Sequence, residues 1–117
     1  MINVIVVPET EEYNLETTFH EVMYINKNLG IPNLTENNAL YIAPYWLEKG
    51  FRGVNRVYHI IETYLNSKND FEIRLGNSFI LPEEKRWDNM GSPRKFEYHN
   101  LSVFGLRELS TGILVPV

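Results

Sequence analysis

The segment Val54–Leu65, VNRVYHIIETYL, decides what this chain can fold into. Val57, Ile60, Ile61, Tyr64 and Leu65 recur at a spacing that a helix could use. The Val, Tyr, Ile and Thr content suits a pleated strand instead. Composition and a hairpin-like spacing from the preceding apolar run agree on the strand. That preceding run, Ala39–Trp46, alternates, with Leu40, Ile42 and Trp46 on one parity and Ala39, Tyr41, Ala43 and Tyr45 on the other. Pro44 has no N–H to give a ladder, which points to an edge or a bulge. Gly50 and Gly53 then allow a tight reversal into the second run.

The rest of the chain is also mostly extended. Ile2–Val7 is apolar and β-branched almost throughout, as in a strand covered on both faces, and Pro8 ends it. Phe71, Ile73 and Leu75 alternate with Glu72 and Arg74, a period-2 pattern. Gly76-Asn77 reads as a turn or bulge before Phe79–Leu81 resumes the strand. Asn66–Asp70 is a polar turn, and Pro82–Arg94 is a long polar loop of the kind that is often functional. Phe96 and Tyr98 alternate in a further strand, and Ile113–Val117 closes as an apolar one. Helix is expected over Glu11–Asn28, where Leu15, Phe19, Val22 and Met23 recur at helical spacing behind an acidic start. Thr17, Thr18 and Tyr24 weaken that reading, so part of the segment could be extended. A short helical turn is expected within Leu101–Leu109. One or two short helices among about six strands make an α+β chain, a small mixed β-barrel of one domain spanning residues 1–117.

Composition narrows the function. With 44% hydrophobic and 13% aromatic residues, the chain can bury a real core and is not disordered. A net charge of −4 excludes a wholly basic nucleic-acid coat but leaves room for a local basic patch. The absence of cysteine removes disulfides, zinc ribbons and thiol nucleophiles. No apolar run approaches the roughly 18 residues that span a membrane, and MINVIVVPETEE reads as a strand and not as a signal peptide. The expectation is a cytoplasmic protein without membrane contact. The N-x-S/T patterns at Asn33 and Asn100 are then chance matches.

Three stretches resemble the PUA-like superfamily of small β-barrels, which includes the ASCH and EVE domains. They are Ala39-Leu40-Tyr41-Ile42-Ala43 as an apolar strand, Gly53-Val54-Asn55-Arg56-Val57 as a Gly-X-X-X-Val strand, and Phe96-Glu97-Tyr98-His99-Asn100-Leu101 as a late strand entering a helical turn. The resemblance covers about residues 38–109. It implies binding of RNA, modified bases or nucleotides in a cleft of the barrel. The helical-looking early segment departs from the EVE pattern, and no exact signature is present, so no specific ligand carries over.

The candidate ligand-binding residues are Tyr45, Trp46, Arg52 and Arg56: two aromatics where the first run ends and two guanidinium groups around the start of the second. Aromatic faces stack on bases and arginines pair with phosphate oxygens. The plainer reading is that Trp46 plugs one end of the barrel, Tyr45 packs at an edge and the arginines are solvated. Arg86, Trp87 and Arg94 in the polar loop form a candidate interface or lid, although Trp87 could equally fold back over the core. His59 and Glu62 form H-x-x-E, which shares a face only on a helix; His20 and His99 are alone.

No catalytic constellation stands out. Asp70, Glu72 and Arg74 loosely resemble the D…E-x-K site of a metal-dependent nuclease, with Glu9 or Glu11 as a further carboxylate, but Arg74 cannot act as the base and the spacing is short. The leading expectation is a non-enzymatic module that binds a nucleotide, modified base or RNA/DNA segment, with no catalytic residues, cofactor or metal. A protein-interaction or assembly subunit, phage- or defence-related and capable of homo-oligomerising, is the alternative. A Mg²⁺-dependent hydrolase ranks last.

Overall fold

Strand β1 (Asn3–Pro8) fixes the architecture because both of its faces are apolar. Val4, Ile5, Val6 and Val7 are all fully buried, which requires a layer on each side. Burying each of these β-branched side chains contributes about 1.5–3 kcal/mol before the cost of ordering the chain. The computed structural model describes residues 2–8, 22–25, 29–48, 51–82, 87–88 and 95–117, and of residues 46–48, 51–52 and 87–88 the backbone only. The remaining strands are β2 (Val22–Ile25), β3 (Ala39–Glu48), β4 (Phe51–Val54), β5 (Arg56–Leu65), β6 (Phe71–Ile80), β7 (Trp87–Asp88), β8 (Glu97–Asn100), β9 (Leu106–Ser110) and β10 (Ile113–Pro116).

The main sheet runs β2-β6-β5-β3-β1-β8 and curls into a half-barrel. β1 and β3 are parallel, and the other described pairings are antiparallel. At the far end of β3 the chain branches into a second ladder, in which β4 lies between β3 and β7. Pro44 sits at this branch. The recorded ladder from β3 to β5 ends at Ile42–Tyr58, and that from β3 to β4 begins at Trp46–Gly53. A residue without an N–H is tolerated where one ladder stops and the next has not begun.

Two cores result. On one face Val4, Val6, Tyr41, Ala43, Tyr45 and Val57 are roofed by Leu101, Phe104 and Leu106. Leu101 and Phe104 come from a single 3₁₀ turn, Leu101–Phe104, and Leu106 from the β9–β10 hairpin. On the other face Ile5, Val7, Ile42, Tyr58, Ile73 and Leu75 meet Met23 and Ile25 of β2. Val54–Leu65 is extended, as its composition indicates, but Asn55 divides it between β4 and β5. Gly53 lies inside β4 and not in the reversal.

The helix expected over Glu11–Asn28 is corrected where it can be described. Val22–Ile25 is a strand paired with β6, with Met23 and Ile25 buried and Tyr24 exposed between them. A β-branched, alternating tetrapeptide gains more from the free edge of β6 than from its weak helical spacing. The rest of that segment, residues 11–21 and 26–28, lies outside the described residues. The helical turn expected over Leu101–Leu109 ends at Phe104, and Leu109 belongs to β9. The chain is therefore mostly β, and among the described residues helical geometry is confined to Leu29 and that one 3₁₀ turn. Gly76-Asn77 forms a bulge and not a turn. Tyr58 faces Ser78 and Ile60 faces Leu75, so β6 carries one residue more than β5 there; between Ile60 and Glu62 the surplus moves to β5.

Candidate ligand-binding corner

Two neighbouring sequence signals and one distant from them meet in the β3–β4–β7 ladder. Trp46 stands directly across from Gly53, and Leu47 from Arg52. Gly53 stands across from Asp88, and Val54 from Trp87. The end of the aromatic run, the basic connection and the tryptophan of the polar loop thus occupy neighbouring positions of one small sheet. Gly53 is its centre, at φ 147°, a backbone conformation that side-chain-bearing residues rarely adopt. Gly53 is buried, and a glycine inside a strand marks the kind of place where a ligand or another backbone comes close. Arg86 and Arg94 lie outside the described residues.

Tyr45 and Arg56 sit differently from these. Tyr45 is 1% exposed and packs with Val54 and Val57 in the first core, so its ring is enclosed by apolar side chains. Arg56 is also buried, at 8% exposure. Its neighbour Val57 joins the first core and Tyr58 the second, so strand alternation places Arg56 on the face opposite Tyr45. The Arg56 guanidinium lies 5.8 Å from the centroid of the Tyr58 ring. Burial pushes the Tyr58 hydroxyl above its ordinary pKa, and the Arg56 charge offsets part of that rise. The four candidate residues therefore do not converge on one cleft. Trp46 and Arg52 share the corner, Tyr45 supports it from the core beneath, and Arg56 is rooted on Tyr58 at its edge.

A second polar cluster had no signal in the sequence. The Tyr41 hydroxyl donates to Glu108 Oε2 at 2.5 Å and accepts the Gly112 N–H at 2.9 Å. His59 completes it, with its ring centroid 5.4 Å from that of Tyr41 and its edge against Gly112. Burial, reinforced by the Glu108 carboxylate, pushes the Tyr41 hydroxyl up to about 12. A tyrosine held neutral with both hydrogen bonds made is a fastening for the β9–β10 hairpin. His59 does not pair with Glu62, which meets Arg74 at 3.5 Å instead. His99 meets Glu97 at 3.1 Å, and His20 is outside the described residues.

The nuclease-like residues are also committed elsewhere. Glu72 is 8% exposed and accepts Asn66 Nδ2 at 2.9 Å. Among the described residues no group of three or more His, Asp or Glu could hold a metal ion, and no helix is long and apolar enough to cross a membrane. A groove of about 510 Å³ lies where the end of β6 meets the C-terminal hairpin, lined by Phe79, Pro82, Phe104, Leu106, Pro116 and Val117 among others. None of the candidate residues lines it, and it has no ionisable side chain to bind phosphate. Comparison with known proteins adds no identity, since no family model, curated protein or solved structure matches the chain.

Proposed function

We propose that this chain is a non-enzymatic binding module that recognises a nucleotide, a modified base or a short nucleic-acid segment at the β3–β4–β7 corner. One observation carries the reading: the register that sets Trp46, Arg52 and Trp87 on adjacent strands around Gly53. Strand alternation gives Arg52 and Trp87 positions on one face of this ladder and Trp46 a position on the other, so an aromatic that can stack on a base and an arginine that can pair with a phosphate share one face. Asp88, across from Gly53, offers an acceptor for a base edge. The same reading places the chain among PUA-like barrels, with which the curled, strand-rich half-barrel is compatible.

Titration of tryptophan fluorescence with short RNA, short DNA and free nucleotides tests this. The expected result is a saturable change that weakens as salt rises, because phosphate contacts release counterions. Arg52→Gln should weaken binding and flatten the salt dependence while leaving both indoles in place. A chain whose fluorescence responds to none of these ligands at low salt does not bind this class.

A further inference from the structure

We propose that two copies of this chain pair through the distal half of β5, antiparallel, with Tyr64 on the two-fold axis. All five residues from Ile61 to Leu65 are exposed, although β5 lies between β6 and β3 in the sheet. β3 begins at Ala39, and its recorded pairs with β5 are Tyr41–His59 and Ile42–Tyr58. Residues 62–65 run on past the start of β3, and among the described residues no strand pairs with their outer edge.

The backbone shows which groups that edge presents. The Asn66 N–H donates to the Asp70 carbonyl at 3.0 Å, and the Asn66 carbonyl accepts the Asn69 N–H at 2.9 Å. Both Asn66 groups therefore point toward β6. Alternation along an antiparallel strand then turns the N–H and C=O of Leu65 and Thr63 outward, while those of Tyr64 and Glu62 face β6. Large apolar side chains flank this outward row: Ile61 is 61% exposed, Tyr64 42% and Leu65 51%. The usual guards of a free edge, lysine or proline, do not occur within Ile61–Leu65.

The register selects a second copy as the occupant. A two-fold axis through Tyr64 sets Thr63 opposite Leu65 of the second copy, and Leu65 opposite its Thr63. These are the residues whose backbone groups point outward, so each pair can exchange both main-chain hydrogen bonds. The two Tyr64 rings meet at a position without hydrogen bonds, where facing side chains come closest. Charge fits as well: Glu62 lies opposite Asn66 and not opposite another carboxylate, and the turn of the second copy brings Lys68 toward the Glu62 end of the strand. An axis through Thr63 would instead recruit Ile61, the surplus residue of a bulge, where the ladder is broken. Four residues a side bury less than a standard interface, so the dimer is weak and depends on concentration. It is independent of the proposed ligand corner, which lies at the other end of β5, about 30 Å away at the rise of a strand.

Sedimentation analysis of the intact chain from about 10 μM to about 1 mM, a range matched to a weak association, reads this directly. The expected result is a monomer that shifts to a dimer as concentration rises. Thr63→Pro removes an outward N–H without touching the bonds to β6, so it should raise the dimer Kd by roughly tenfold or more while the fold survives. Leu65→Lys, which removes no backbone group, should do the same by guarding the edge. Amide exchange at Thr63 and Leu65 should slow with concentration in the wild type. A monomer throughout the range overturns the proposal and leaves the edge to a strand from a different protein. A dimer that both variants form as readily as the wild type overturns it too, by placing the contact elsewhere.

Discussion

Tyr41 and Glu108, 67 residues apart in the chain, share a hydrogen bond of 2.5 Å. With the Gly112 N–H received at 2.9 Å, it ties the β9–β10 hairpin to the centre of the sheet. Tyr41→Phe keeps the ring and removes both bonds. Water can reach the half-buried carboxylate, so most of the cost falls on the buried Gly112 N–H. A loss of about 1–3 kcal/mol is expected in urea unfolding. A loss near zero would mean that the hairpin is held by its apolar contacts alone.

The same phenol makes stability depend on alkaline pH. Its pKa rises from an ordinary 10.0 to about 12 in the folded chain, mainly by burial and then through Glu108. The folded state thus holds this proton more tightly than the unfolded state does. The resulting stabilisation is complete below pH 10 and is lost as pH rises through about 12. Tyr58, Tyr64 and Tyr98 also have raised pKa values, so the wild type declines for several reasons. The difference between wild type and Tyr41→Phe isolates one of them. It should be constant up to pH 10 and shrink above it, as followed by thermal melts at stepped pH.

Gly112 and Gly30 form a matched pair. Their φ values are 81° and 79°, so alanine meets the same backbone strain at each. Around Gly30 a new Cβ meets nothing within 4 Å, whereas at Gly112 it would lie 2.7 Å from His59 Nδ1. Gly30→Ala should cost about 1–2 kcal/mol from the left-handed backbone alone. Gly112→Ala should cost roughly 1–3 kcal/mol more, because the His59 ring must leave its place beside Tyr41. Adding His59→Ala to Gly112→Ala should recover part of that excess. Equal melting temperatures for the two single variants would rule out the close packing of His59.

What the sequence revealed follows from the range of the interactions. β1 and β6 were legible because burial on two faces and on one face write different periods into neighbouring residues. Tyr45, expected as a stacking residue or an edge residue, is instead buried with Tyr41 and Ala43, whose parity it shares; the parity alone did not say which face of the run was covered. β2 was not legible, because four residues on a sheet edge take their conformation from β6 and not from their own spacing. β9 was hidden by its polar residues, Arg107, Glu108 and Ser110. No periodicity could place Trp87 beside Val54 or Glu108 beside Tyr41. Those contacts depend on how the ladder closes, and so the corner had to be read from the fold.

Asn66 offers the sharpest test of the distal hairpin. Its Oδ1 accepts the backbone N–H of Lys68 at 2.8 Å and of Asp70 at 3.0 Å, while its Nδ2 donates to Glu72 at 2.9 Å. Asn66→Asp keeps the two acceptor bonds, removes the donor and sets a second carboxylate against one that is already buried. At neutral pH this should destabilise the chain by about 2–3 kcal/mol, the order expected when a buried charge loses its donor. One of two facing carboxylates is then driven to hold a proton, so its folded pKa rises above the unfolded value. Protonation is therefore favoured in the folded state, and the penalty should shrink as pH falls toward 4, near the intrinsic carboxylate range. Asn66→Ala, which loses all three bonds and adds no charge, should show a smaller change of penalty between the two pH values, because only the lost donor to Glu72 acts on it. Urea unfolding at pH 7 and near pH 4 separates the two variants, and an Asn66→Asp penalty that does not change with pH would show that its carboxylate faces solvent and not Glu72.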